Sequence, residues 1–269
     1  MAVAQYKPSE LQPGTRAFYS GALATLNEAR APYLVGGAYA FERYTGIERH
    51  TKDLDLFVRR EHYEEVARVL ATAGYLTELA FPHWLGKARC GADFIDVIFS
   101  SGNGVARVDD EWFAHAPAAR VLGEPVLLCP CEEMIWSKAF VMERERFDGA
   151  DVLHLLRVHG AGLDWPRLWR RFGANWRVLA AHLMLFDYVY PCEREQISAV
   201  VREELLRRIT EDMSAPAPPG RLCRGPMLSR EQYLVDLGPW GYGDARVEAG
   251  GPMTPEDVAA WTASIGTEY

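Results

Sequence analysis

Apolar residues recur at helical spacing between Thr15 and Arg30, with Phe18, Leu23, Leu26 and Ala29 on one stripe, and Pro32 closes the run. Tyr33-Leu34-Val35 is a short apolar burst that breaks at Gly36-Gly37, the mark of a strand entering a turn. Helical spacing resumes from Ala38 to Tyr44. From Asp53 to Val58, polar and apolar positions alternate, which predicts a strand. Arg60 to Ala73 carries Tyr63, Val66, Val69 and Leu70 on one stripe and stops at Gly74, as helices commonly do. Tyr75–Ala80, Trp84–Cys90 and Phe94–Phe99 read as three further strands.

Past Pro130 the period changes. Glu132–Arg146, Gly149–Val158, Trp165–Phe172, Asn175–Tyr188 and Glu195–Met213 all read as helices. Ser214 to Gly220 is rich in proline and alanine, a linker by composition. Beyond it, only Ser229–Asp236 and Thr254–Ser264 look helical. The pattern predicts an α+β fold, a mixed sheet with flanking helices, followed by a helical C-terminal domain. The expected divisions are 1–129, 130–213 and a 214–269 extension. If that extension were a lid, Trp240 and Tyr242 would be partly buried.

Composition narrows the class. With 49% hydrophobic residues in 269, a globular core is expected rather than disorder. No apolar run approaches the roughly 20 residues of a membrane span, and Met1 to Pro8 lacks the apolar core of a signal peptide, so a cytoplasmic protein without membrane partners is expected. Five scattered cysteines do not make a disulfide framework. Cys129-Pro130-Cys131, the one close pair, is spaced too tightly for a usual zinc pair and reads as small buried residues. A net charge of −8 argues against a nucleic-acid partner and mildly favours a neutral or cationic one.

The chemistry concentrates in three acids. Asp53 and Asp55, two apart on a strand, point to the same face, while Leu54 and Leu56 point to the other. Two such carboxylates repel each other unless a hard cation such as Mg²⁺ lies between them. Asp96 is the one acid inside an otherwise apolar strand and needs a partner. A neighbouring strand carrying Asp53 would make it a third metal ligand, and three acids suit metal-assisted phosphoryl or nucleotidyl transfer. Lys87 or Arg89 would instead make it half of a structural ion pair. Gly36 and Gly37 permit a close backbone approach, and the amides of the next helix would then face a bound phosphate. Arg49, Thr51 and Lys52 stand beside the acid pair, as phosphate contacts or as solvated residues. Lys138, among Ile135, Trp136, Ala139, Phe140 and Val141, would face a triphosphate or pair with Glu143 and Glu145 along the helix.

Val35-Gly36-Gly37-Ala38, Thr51-Lys52-Asp53-Leu54-Asp55-Leu56 and Phe94-Ile95-Asp96-Val97 together resemble the DNA polymerase β-like nucleotidyltransferase superfamily. The likeness is greatest to its minimal bacterial members: aminoglycoside and lincosamide nucleotidyltransferases and the AbiEii-type toxins. Lys138 through Arg144, Arg146, Asp148 and Asp151 is similar to the lysine-arginine-aspartate motif of the AbiEii-type group. The resemblance spans about residues 15–160. It implies a nucleotidyltransferase-type sheet, with Asp53, Asp55 and Asp96 as catalytic Mg²⁺ ligands and Asp96 in some members also a base. It further implies Gly37 in the phosphate turn and Lys138 on the triphosphate. Where many members have serine after the first glycine, this chain has Gly37, which removes a hydroxyl contact to phosphate. The implied reaction moves a nucleoside monophosphate from a nucleoside triphosphate, ATP first among them, to a hydroxyl of a small molecule such as an antibiotic, releasing pyrophosphate. A toxin acting on tRNA or protein, a nucleotide-binding module without catalysis, and a purely structural domain are the alternatives. Tyr39, Tyr44, Phe81, His83 and Trp84 are candidate walls of an acceptor pocket, or core.

Overall fold

The computed structural model describes residues 11–48, 51 and 53–266. Its elements run α1 (Pro13–Glu28), β1 (Leu34–Val35), α2 (Gly37–Thr45), β2 (Asp53–Phe57), α3 (Tyr63–Thr72), β3 (Leu76–Phe81), β4 (Leu85–Cys90), β5 (Asp93–Ile98), α4 (Asp110–Ala114), β6 (Ala118–Val121) and β7 (Glu124–Leu127). There follow α5 (Cys131–Ala139), α6 (Gly149–His159), α7 (Trp165–Phe172), α8 (Trp176–Val189), α9 (Ala199–Ser214), β8 (Leu222–Cys223), α10 (Leu234–Leu237), β9 (Gly243–Asp244) and α11 (Pro255–Ala263). Contacts divide the chain into two compact units. One holds residues up to Ser100 together with Arg107–Pro130; the other holds Ser101–Ala106 and everything from Cys131 onward.

The first unit is built on a five-stranded sheet in the order β1-β2-β5-β4-β3. β2 and β5 run parallel, and the other pairs are antiparallel, so the sheet is mixed. The α+β class read from the sequence is the fold observed. Strand chemistry follows the period of two: Leu54 and Leu56 of β2 and Ile95 and Val97 of β5 are buried, and the residues between them are half-exposed. Tyr19, Leu23 and Leu26 of α1 and Tyr63, Val66 and Leu70 of α3 complete this core. The α1 stripe is turned slightly from the one expected: Tyr19 is fully buried, whereas Phe18 is half-buried and Ala29 exposed.

In the second unit α5 to α9 form the helical part, and the chain after Ser214 returns to it. The Asn103 side chain donates to the Met227 carbonyl at 2.7 Å, and Ser229 and the Arg230 amide both donate to the Glu143 carboxylate. Trp240 is 58% exposed and Tyr242 half-buried under the Arg221 guanidinium. The helix expected over Glu132–Arg146 ends at Ala139. Residues 140–148 instead double back, with Met142 bridging Phe147 and the Asp148 amide donating to the Val141 carbonyl. Side chains enforce the reversal. Lys138 Nζ lies 2.9 Å from both Asp148 and Asp151, and Arg146 grips Asp148 with two hydrogen bonds of 3.0 Å. Among the described residues, no helix is long and apolar enough to cross a membrane. All five cysteines are free, with Cys129, Cys131 and Cys223 buried.

Candidate active site

The parallel pairing of β2 and β5 sets Asp55 directly beside Asp96 and Asp53 beside Phe94. Both acids of β2 share the face opposite Leu54 and Leu56, so Asp53, Asp55 and Asp96 converge. One carboxylate oxygen from each lies within 4.8 Å of the other two. The three are half-exposed, above strands whose far face is apolar core.

The glycine turn is stitched to the same strand. The Gly36 amide donates to the Asp55 carbonyl at 3.0 Å, and Gly36 is the residue on which α2 begins. A Cβ on Gly36 would run into the Phe57 ring and sit 3.1 Å from Cys129 Sγ. Gly37 has φ +52°, and a Cβ there would overlap the Asp55 carboxylate. Gly37 is therefore required twice, for backbone conformation and for the space the acid occupies. The first turn of α2 leaves its leading amides without helical acceptors and carries the positive end of the helix dipole.

Each acid has company. Thr51 Oγ1 donates to the Asp53 carboxylate and, at 3.1 Å, to the Asp53 carbonyl. Asp96 Oδ1 takes a 2.7 Å bond from Lys87 Nζ, opposite it on β4. Lys87 is 3% exposed, with its ammonium 4.3 Å from the Phe94 ring centre. Burial raises the Asp96 carboxyl above the ordinary carboxylate range; the Lys87 bond and charge oppose this without cancelling it. Tyr19 Oη is buried with no hydrogen-bond partner, and its phenol is raised by burial first and then by Tyr39, Asp53, Asp93 and Asp55. Burial pushes Tyr39 up to about 12, helped by Glu42 and Asp53.

Of the residues expected in the site, Asp53, Asp55, Asp96, Gly36 and Gly37 come together within the first unit. Lys52 and Arg49 lie outside the described residues. Lys138 belongs to the second unit, at the last turn of α5 rather than early in a longer helix, and its ammonium is ion-paired with Asp148 and Asp151. Among the candidate pocket aromatics, Tyr39 lies near the acids and meets Tyr19 edge-on at 6.2 Å. Tyr44 donates to the Cys129 carbonyl at 2.8 Å, and Phe81 packs against Trp84 and His83 at the β3–β4 turn. Lys87 and Tyr19 are further neighbours of the acids, and neither carries a motif of its own. Lys87 was legible only as one of two partners for Asp96, and Tyr19 only through the one-residue phase of α1.

The donor set fits a hard divalent cation: three carboxylate oxygens on one face, converging within 4.8 Å, with a buried phenol beside them whose oxygen lacks a partner. No protein-family model matches the sequence, and no curated protein matches it. Solved structures do match in outline. The solution structure of the antibiotic-resistance factor ANT(2'')-Ia is 18% identical, covering 76% of this chain and all of that one, with a TM-score of 0.40. The lincosamide antibiotic adenylyltransferase LnuA, lincomycin-bound, is 15% identical over 56% of this chain and 98% of its own, with a TM-score of 0.38. An antigenic nucleotidyltransferase-like protein from Paracoccidioides brasiliensis is 13% identical over 64% and 92%, with a TM-score of 0.37. The chain is thus similar to solved nucleotidyltransferases, at TM-scores low enough that the chemistry of its site has to come from its own residues.

Proposed function

We propose that the protein is a nucleotidyltransferase that moves a nucleoside monophosphate from a nucleoside triphosphate, ATP first among them, to a hydroxyl of a small-molecule acceptor. The observation that carries this is the convergence of Asp53, Asp55 and Asp96 within 4.8 Å, on strands whose neighbour is the Gly36-Gly37 turn that opens α2. Asp53, Asp55 and Asp96 would hold Mg²⁺, which when bound neutralises the charge that develops on the triphosphate oxygens.

The remaining tasks fall to the chain. The leading amides of α2 offer donors and a positive dipole end to phosphate, and the lack of a side chain at Gly37 leaves the Asp55 carboxylate its place beside that turn. Asp96 accepts from Lys87 through Oδ1. In the reaction, the acceptor oxygen forms a bond to the α-phosphorus as the bond to the bridging oxygen breaks, and pyrophosphate leaves with that electron pair. The hydroxyl proton passes to the Asp96 carboxylate. Positioning of the two reactants supplies much of the acceleration. The net charge of −8 supports a neutral or cationic small acceptor over a nucleic acid.

Calorimetric titration of each triphosphate, with and without Mg²⁺, into wild type and Asp53→Ala tests the proposal. Mg²⁺-dependent binding in the wild type, lost in the variant, is expected. If the folded wild type bound no triphosphate under either condition, the proposal would be wrong. Metal-dependent binding without turnover of any hydroxylated acceptor would leave a nucleotide-binding module.

A further inference from the structure

Lys87 is an expensive residue to place where it stands. An ammonium group almost fully out of water is tolerated only with a counter-charge, and here that charge is Asp96 at 2.7 Å. The other acid near it in the sheet, Glu78, pairs with Arg89 at 3.1 Å. The face of the Phe94 ring, 4.3 Å from Nζ, closes a further side of the ammonium. Lys87 is thus locked onto the very carboxylate that would serve as third metal ligand.

We infer that Lys87 sets the charge of the carboxylate cluster so that the protein alone binds Mg²⁺ weakly and the metal is held firmly only with the triphosphate. This rests on the reading of Asp53, Asp55 and Asp96 as metal ligands. Lys87 cancels one of the three negative charges and repels an incoming cation from across Asp96. Ligand charge count is a principal control on divalent-cation affinity, and Mg²⁺ is commonly held by one or two carboxylates completed by substrate phosphates. A cluster so tempered would stay unclamped between turnovers, and the phosphates would supply the missing negative charge when they arrive.

The inference predicts a gain, which a mere structural role does not. Mn²⁺ is the probe, titrated at pH 8 without nucleotide and followed by the loss of its free spin-resonance signal, together with the rise in melting temperature on adding Mg²⁺. Lys87→Met and Lys87→Gln should bind Mn²⁺ about tenfold more tightly than wild type and gain more thermal stability from Mg²⁺. Lys87→Arg, which keeps the charge, should match wild type. Adding Asp96→Asn to Lys87→Met should abolish the gain. A neutral variant that folds only in Mg²⁺ would also support the inference. Unchanged or weaker Mn²⁺ binding in both neutral variants would overturn it, as would an equal gain in Lys87→Arg or a failure of both neutral variants to fold even with Mg²⁺. Metal-dependent triphosphate binding by the wild type, lost in Asp53→Ala, separates failure of this inference from failure of the underlying reading.

Discussion

At the scale of single residues, Gly37 shows how little room the site leaves. Its φ of +52° and the overlap of any Cβ with the Asp55 carboxylate act together. Gly37→Ala should destabilise the protein by about 1–3 kcal/mol and weaken triphosphate binding at least about tenfold, read by urea unfolding and calorimetry. Gly46 separates the two causes: it has φ +70°, but a Cβ there would meet nothing within 4 Å. Gly46→Ala should therefore cost about 1 kcal/mol of stability and leave nucleotide affinity unchanged. Equal losses of affinity in both variants would mean that backbone strain, and not the displaced acid, controls the site. The three acids were legible in the sequence because each broke a local rule: two charges on one face of an apolar strand, and one charge inside another. Their convergence was not legible, because it depends on the parallel register of β2 and β5, whose strands are separated in the chain by α3, β3 and β4. A slip of one residue in that register would have turned Asp96 to the core face.

At the scale of elements, alternation and helical period placed the strands of the main sheet and most helices to within a few residues. They failed where a distant partner decided the outcome. Residues 140–146 contain good helix formers, yet Lys138 and Arg146 both reach Asp148, and these ion pairs outweigh intrinsic propensity. The β6–β7 hairpin has a weak sequence signal for a different reason. Its two-residue loop, Leu122-Gly123, has positive φ at both positions, a task usually given to Asn-Gly, so only the glycine half of the signal is present. The Lys138 cluster carries a pH dependence. Burial pushes the Asp148 carboxyl up, but the Arg146 hydrogen bonds and the Lys138 charge outweigh it and bring it down to about 2 from 3.8. A depressed acid stabilises the fold fully above its unfolded pKa and loses that contribution as pH falls toward the folded value. Wild type should accordingly exceed Asp148→Asn by about 2 kcal/mol at pH 5, the gap closing between pH 4 and 2 in denaturant titrations. A gap that persists at pH 2 would assign the loss to packing. Between α5 and α7, Glu133 is fully buried and accepts from Arg167 at 2.9 and 3.0 Å and from Arg171 at 3.0 Å. Glu133→Ala removes the carboxylate that two largely buried guanidinium groups share, although Arg167 keeps Glu132 at 2.7 Å, and should cost about 3 kcal/mol by urea unfolding; a cost under about 1 kcal/mol would mean water replaces the carboxylate.

At the scale of the whole molecule, each unit has its own buried core, so a single unfolding energy need not describe the chain. Calorimetric scans should resolve two transitions, with Leu56→Ala lowering one and Glu133→Ala the other; one transition displaced by both would show a single cooperative body. The change of period at Pro130 falls where the chain passes once from one unit to the other, and nothing in the composition of Ser101–Ala106 marks its other passages. That hexapeptide has a history as well as a place. Asn103 pairs with Met227, 124 residues later, and a Cβ on Gly102 or Gly104 would press on Trp261 or Met253. On the ribosome, at roughly 5–20 residues per second, Asn103 emerges about ten seconds before the carbonyl it will bind. During that interval the strands on either side of it can pair while the hexapeptide waits, a loop without its socket. A chain halted anywhere before Met227 is thus born with a defect near residue 103, far from the point where it was cut.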